Sequence, residues 1–172
     1  MKKYIADIYK ASIYDIDYQK LKKRGIKCLI FDLDNTIARV DELKMSSKSR
    51  KFLEDLSKDF DIYVISNNSK RRVKNYLGDL DIYFVHWSLK PSTRGIRTIL
   101  KHKEYKKEEM IIIGDQIVTD ILSGKRAGIM TALVDPIGIK DLKITSLNRF
   151  FERRILKKLA LKKLFMKGKY YE

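Results

Sequence analysis

Five short apolar runs, each closed by polar or small residues, constrain this chain more than any other feature. They are Lys27-Cys28-Leu29-Ile30-Phe31, Asp61-Ile62-Tyr63-Val64-Ile65-Ser66, Ile82-Tyr83-Phe84-Val85, Met110-Ile111-Ile112-Ile113-Gly114 and Met130-Thr131-Ala132-Leu133-Val134. The runs are continuous rather than alternating, so a strand built from them needs cover on both faces. Between them lie stretches with helical spacing. Residues 47–58 put Phe52, Leu53 and Leu56 on one side, with Ser46 or Ser47 as N-cap. Residues 69–77 follow the second run and residues 92–102 follow Pro91, a helix-entry signal. Residues 119–127 stop near Gly128. This alternation predicts an α/β protein of three layers, with a central, mainly parallel sheet of about five strands.

Residues 1–172 read as one domain, without repeat or linker, and with a basic helical extension over 146–172. A single cysteine, Cys28, excludes a disulfide framework and a cysteine-based zinc site, and its place in a strand marks it as a buried structural thiol. His86 and His102 lack metal-ligand spacing, and Trp87 beside Tyr83 and Phe84 belongs to core or crevice rim. No apolar run approaches the roughly 18–20 residues of a membrane-spanning helix, and residues 1–10 lack the apolar centre of a signal peptide. A cytoplasmic location is therefore expected.

The chemistry-bearing residues fall at the ends of the expected strands. The first run enters Asp32-Leu33-Asp34-Asn35-Thr36, the second ends in Ser66-Asn67-Asn68, Lys90-Pro91 follows the third, and the fourth ends in Gly114-Asp115-Gln116, with Asp120 beyond. In a parallel sheet the carboxyl ends of neighbouring strands border one crevice. Asp32, Asp34 and Asp115 can meet there, and such a group of carboxylates is costly unless a positive partner is present. Mg²⁺ suits an all-oxygen site, and Lys90 can neutralise a phosphate group as a point charge.

These residues, in this order, resemble the four motifs of the haloacid dehalogenase (HAD) superfamily. The spacings from Asp34 to Ser66 and from Ser66 to Lys90 leave no room for a cap domain, which resembles the capless subclass III. Tyr14-Asp15-Ile16-Asp17, Gly25-Ile26-Lys27, Thr119-Asp120, Asn148-Arg149 and Glu152-Arg153 narrow the resemblance to the YqeG family of HAD IIIA phosphatases, whose relatives include phosphatidylglycerophosphate phosphatases.

The resemblance implies a Rossmann-like HAD fold and a Mg²⁺-dependent phosphomonoester hydrolase. Asp32 would be the nucleophile that forms an aspartyl-phosphate, and Asp34 the general acid and base. Asp32, Asp115 and the backbone carbonyl of Asp34 would hold Mg²⁺. Ser66, Lys90 and the amides near Leu33 and Asn67 would bind the phosphate. Asp120 would orient Lys90 or a metal-bound water, with Thr36, Asn35 and Gly114 shaping the site.

Charge bears on the partner. Residues 1–27 carry net +5, residues 28–142 net +3 and residues 143–172 net +8, for a total of +16. Basic ends point to a polyanion. An open crevice suits a substrate that cannot be enclosed, and an anionic phospholipid, phosphatidylglycerophosphate, is the favoured one. On that reading Arg71, Arg72, Arg153, Arg154, Lys157 and Lys158 would meet substrate or an anionic membrane surface at its inner face, and Phe150, Phe151 and Phe165 would partly insert. The alternatives are a nucleotide or polynucleotide-end phosphatase, a nucleic-acid- or ribosome-binding protein with a vestigial site, and a tail that only covers the core or dimerises. Lys70 to Lys74 are either substrate-attracting or a solvated helix face, and Tyr170 and Tyr171 are expected to be a frayed end.

Overall fold

A computed structural model describes residues 2–138, 143–162, 164, 165 and 167, the side chains of 143–150 excepted. Among the described residues, six strands form one sheet: β1 (Ile8–Lys10), β2 (Cys28–Asp32), β3 (Asp61–Ile65), β4 (Tyr83–Val85), β5 (Met110–Gly114) and β6 (Met130–Val134). Their spatial order is β1-β6-β5-β2-β3-β4, and every pairing is parallel. The helices are α1 (Tyr18–Lys23), α2 (Ser47–Leu56), α3 (Lys70–Leu77), α4 (Arg94–His102), α5 (Leu122–Ala127) and α6 (Lys143–Leu161).

The five apolar runs are β2 to β6. The sequence reading of about five strands omits β1, whose three residues are too short to stand out as a run. It is held at the edge by Asp7, which accepts hydrogen bonds from the Thr131 amide and hydroxyl at 2.8 Å each and from Lys125 Nζ at 2.6 Å. Both sheet faces are buried. Leu29 and Phe31 of β2 pack with Leu21, Leu53 and Val73 of α1, α2 and α3. Cys28 and Ile30, pointing the other way, pack with Ile96 and Ile99 of α4. Each such side chain contributes about 1.5–3 kcal/mol on burial.

Local sequence sets the helix ends. Ser46 Oγ caps α2 by accepting from Ser49 N at 3.1 Å, and Ser69 Oγ caps α3 by accepting from Arg72 N at 3.3 Å. The helix expected over 119–127 divides into a π-helical turn, Ile117–Ile121, and α5, which ends on the left-handed Gly128 (φ 76°). Gly124 lets α5 lie close on the sheet: a Cβ there would come within 2.5 Å of Ile112 and Thr131.

The expected basic tail helix is α6, and it covers the core. Leu159 and Phe165 are buried with Ala6, Ile117, Ile121 and Leu133, and Phe165 stacks on Tyr9 at 5.0 Å between ring centroids. Glu152, also buried, accepts from Val118 N at 3.2 Å. Membrane insertion of Phe165 is thereby corrected, because its ring is already occupied. Phe151, Arg153, Arg154, Lys157 and Lys158 are exposed. The side chains of Asn148, Arg149 and Phe150, and all of Tyr170 and Tyr171, lie outside the described residues.

From β2 the chain moves outward through β3 and β4, then returns to β5 on the other side of β2. This reversal opens a crevice at the carboxyl ends of β2 and β5. The connections 33–46, 66–69, 86–93, 115–116 and 135–138 all leave from that edge, and none holds an inserted domain.

Candidate active site

The crevice is built around one buried cation. Lys90 Nζ donates to Asp32 Oδ1, to Asp120 Oδ1 at 2.6 Å and to Ile65 O at 3.4 Å. Lys90, Asp32, Asp115 and Asp120 are all buried. Asp32 ends β2 and Asp115 follows β5, so the two central strands bring them together across 83 positions of sequence. Thr36 Oγ1 lies 3.2 Å from Asp115 Oδ1 and 3.5 Å from Asp32 Oδ2, positioned to donate to either. Burial, reinforced by Asp120 and Asp115, pushes the Asp32 carboxyl well above its usual range, against the opposing pull of Lys90. For Lys90, burial works against the ammonium, but Asp120 and Asp32 outweigh it and hold the group protonated.

Gly114 permits the contact between β5 and Asp120. A Cβ at this position would lie 2.3 Å from Asp120 Cγ. Asp120 Oδ2 meanwhile accepts from Gln116 N at 3.0 Å, so both its oxygens are engaged.

Asp34 faces different partners. Arg72 Nε and Nη2 donate to its Oδ1 at 3.2 and 2.9 Å, and Asn68 Nδ2 donates to its Oδ2 at 3.2 Å. Arg72 also donates to the carbonyls of Arg39 (3.0 Å) and Glu42 (2.5 Å), tying the 33–46 connection to α3. Asn35, left-handed at φ 64°, makes the turn that leads away from the two carboxylates, and the amides of Thr36, Ile37 and Ala38 donate back to Leu33 O.

The remaining expected residues arrange the next loop. Ser66 is buried and its hydroxyl accepts from Asn68 N at 3.0 Å, keeping its own proton available to donate. The Asn67 side chain is committed to the 86–93 connection: its Oδ1 accepts from Ser88 Oγ (2.9 Å) and Lys90 N (2.8 Å), and its Nδ2 donates to Lys90 O (3.1 Å).

The structure changes the standing of two residues. Arg72 is not a free substrate- or membrane-facing cation; it is the partner of Asp34, a role that its position in a basic run conceals. Asn68 has no distinguishing signal in the sequence, although it sits between Ser66 and Asp34. Arg71, by contrast, is exposed, and Arg153 lines a groove of about 400 Å³ that also touches Asp115, Ile117 and Ile137.

The donor set fits a divalent cation. When all three are ionised, the carboxylates of Asp32, Asp115 and Asp120 exceed the one ammonium by two negative charges in a buried crevice. Carboxylate oxygens of Asp32, Asp115 and Asp120 lie within 4.8 Å of one another, and hard oxygen donors of this kind suit Mg²⁺ rather than a soft metal. With the Asp34 side chain turned to Arg72 and Asn68, only its main-chain carbonyl could join the set.

Comparison with known proteins agrees with this picture. The family model of the haloacid dehalogenase-like hydrolases matches residues 38–134, which include Ser66, Lys90 and Asp115. A protein of Bacillus subtilis (strain 168) described as "Probable phosphatase YqeG" is 36% identical over 162 residues, 94% of each chain. "Phosphatidylglycerophosphate phosphatase 1, chloroplastic/mitochondrial" of Arabidopsis thaliana is 29% identical over 132 residues, 71% of this chain and 38% of that one. A crystal structure of an uncharacterized protein from Listeria monocytogenes serotype 4b shares the fold, with TM-score 0.53 and 15% identity over 77% of this chain and 99% of its own.

Proposed function

The chain belongs to the haloacid dehalogenase-like hydrolases and is a phosphatase, and from that premise we propose that it removes phosphate from phosphatidylglycerophosphate to give phosphatidylglycerol. The observation that carries the chemistry is the set of buried carboxylates around Lys90 at the crevice between β2 and β5. Asp32 attacks phosphorus, and the bond from phosphorus to the leaving alcohol breaks as an aspartyl-phosphate forms. Asp34, held by Arg72 and Asn68, enters the step protonated, having taken up a proton from solvent, and gives that proton to the departing alkoxide. It then takes a proton from water, whose oxygen attacks the phosphorus and regenerates the Asp32 carboxylate. Lys90 and the Ser66 hydroxyl bear on the charge spread over the transferring oxygens. Mg²⁺ held by Asp32, Asp115 and the Asp34 carbonyl would offset the repulsion between carboxylate and phosphate. Asp120 acts on the lysine rather than on substrate.

The choice of a lipid substrate is supported by the relative from Arabidopsis, by the absence of a cap in the described connections and by the basic balance of the chain. No helix among the described residues is long and apolar enough to cross a membrane. Our reading places the protein in the cytoplasm, reaching lipid peripherally at the inner membrane face through its excess of cations. The experiment is phosphate release from phosphatidylglycerophosphate in mixed micelles, with Mg²⁺ and with EDTA, wild type beside Asp32→Asn. A nucleotide and a 5′-phosphorylated oligonucleotide run in parallel. Release from the lipid that needs both Mg²⁺ and Asp32 is the expected result. Release only from the nucleotide substrates would move the protein to nucleic-acid metabolism with the same mechanism.

A further inference from the structure

In the connection between β4 and α4, side chains alternate between crevice and water. Ser88 and Lys90 are 1% and 7% exposed, whereas Trp87 and Leu89 are 58% and 56% exposed. Both outward residues have left-handed backbone, φ 44° and 57°, a conformation that costs bulky residues of order 1–3 kcal/mol each. Neighbouring hydrogen bonds impose it: Trp87 N donates to Asn68 O at 3.1 Å, Ser88 N to Ser66 O at 3.0 Å and Lys90 N to Asn67 Oδ1 at 2.8 Å. The backbone is thus strained to hold an indole and an isobutyl group in water beside the lysine of the crevice.

Other connections on the same edge also expose large apolar side chains. Leu43 in the 33–46 connection is 73% exposed and Ile137 in the 135–138 connection is 48% exposed. Lys70 and Arg71, in the first turn of α3, and Arg94, the first residue of α4, are exposed there too. Single exposed apolar side chains are ordinary. Four large ones on the connections of one sheet edge, with cations beside them, make the composition of a surface that enters an anionic lipid interface.

We propose that this edge docks on an anionic bilayer, with Trp87 and Leu89 entering the headgroup region and the crevice facing the lipid surface. The docking rests on the phospholipid reading of the active site and states how that site would reach its substrate. The contact differs from the one expected at the basic tail, where Leu159 of α6 and Phe165 beyond it are spent on the core. Nucleic acid suits the edge less well, because Leu43, Leu89 and Ile137 offer no π-face on which bases could stack.

Trp87 is the only tryptophan of the chain, so its fluorescence reports on this surface alone. Wild-type protein is titrated with phosphatidylglycerol vesicles carrying brominated acyl chains, with phosphatidylcholine vesicles and with single-stranded RNA, and sedimentation is followed in parallel. Expected are a blue shift and bromine quenching with the anionic vesicles only. The Trp87→Ala plus Leu89→Ala variant should lose vesicle binding by roughly tenfold. Its ratio of micellar phosphatidylglycerophosphate turnover to soluble p-nitrophenyl phosphate turnover should fall by a similar factor. Sedimentation with unchanged Trp87 emission would move the contact elsewhere, to α6, and overturn the proposal; so would absence of both signals, or a shift with RNA and not with vesicles. Quenching without lipid hydrolysis would leave the docking standing and remove the substrate assignment. Lipid hydrolysis with Trp87 still in water would do the reverse.

Discussion

Asp32 and Asp34 lie two residues apart in sequence, yet they occupy two differently built halves of one crevice. Around Asp32 the partner is a lysine, buried and shared with Asp120, and other carboxylates crowd in. Around Asp34 the partner is an arginine that donates twice to one oxygen, with an amide on the other, and the arginine and aspartate side chains are 12% and 14% exposed. The first half carries more negative charge than its own cation can balance; the second is balanced as it stands. The contrast shows how one turn of backbone gives two identical side chains different surroundings: one crowded by carboxylates around a buried lysine, the other held in a fixed orientation by an arginine and an amide.

This contrast can be broken by substitution. The largest effect is expected for Asp32→Asn, with phosphate release falling by about 10⁴-fold or more because an amide cannot form the acyl-phosphate; activity near that of wild type would end the mechanism. Lys90→Met should cost about 10³-fold in turnover. It should also lower stability by about 3–5 kcal/mol in urea unfolding without added metal, since it strands buried carboxylates. Arg72→Ala should cost less, about 10–100-fold in turnover, with a smaller fall in the unfolding midpoint because that half is nearer to solvent. If Arg72→Ala matched Lys90→Met in both measurements, the two halves would not differ as described. Gly114→Ala, which drives a methyl into Asp120, should destabilise by about 1–3 kcal/mol. Lys157→Glu with Lys158→Glu, both exposed, should leave stability within about 0.5 kcal/mol.

The central strands and the residues at their carboxyl ends are legible in the sequence, since a parallel strand buried on both faces leaves an unbroken apolar run and its end is where polar residues resume. The same logic explains what stays hidden. Ile8–Lys10 is an edge strand of three residues, defined by its partner rather than by its own pattern. Arg72 sits in a run of cations, and only the turn of α3 against the 33–46 connection singles it out. The burial of Phe165 depends on Tyr9, which no periodicity within α6 reveals. The outward aim of Trp87 and Leu89 comes from left-handed backbone at residues whose chemistry does not favour it. Gly114 stands beside Asp115 in the chain, but the reason for it, the approach of Asp120, is a three-dimensional fact.

The pairing of β1 with β6 also governs when the sheet can be finished. Ile8 finds its partner in Ala132, and the Asp7 carboxylate waits for Thr131 and Lys125. During synthesis the β1 segment therefore leaves the ribosome long before its neighbour exists. The central strands can assemble without it, whereas this edge can close only once β6 has been made, across more than a hundred intervening residues. Until then the β6 side presents unpaired backbone and uncovered apolar surface, the state in which a nascent chain is most open to misassociation and to chaperone capture.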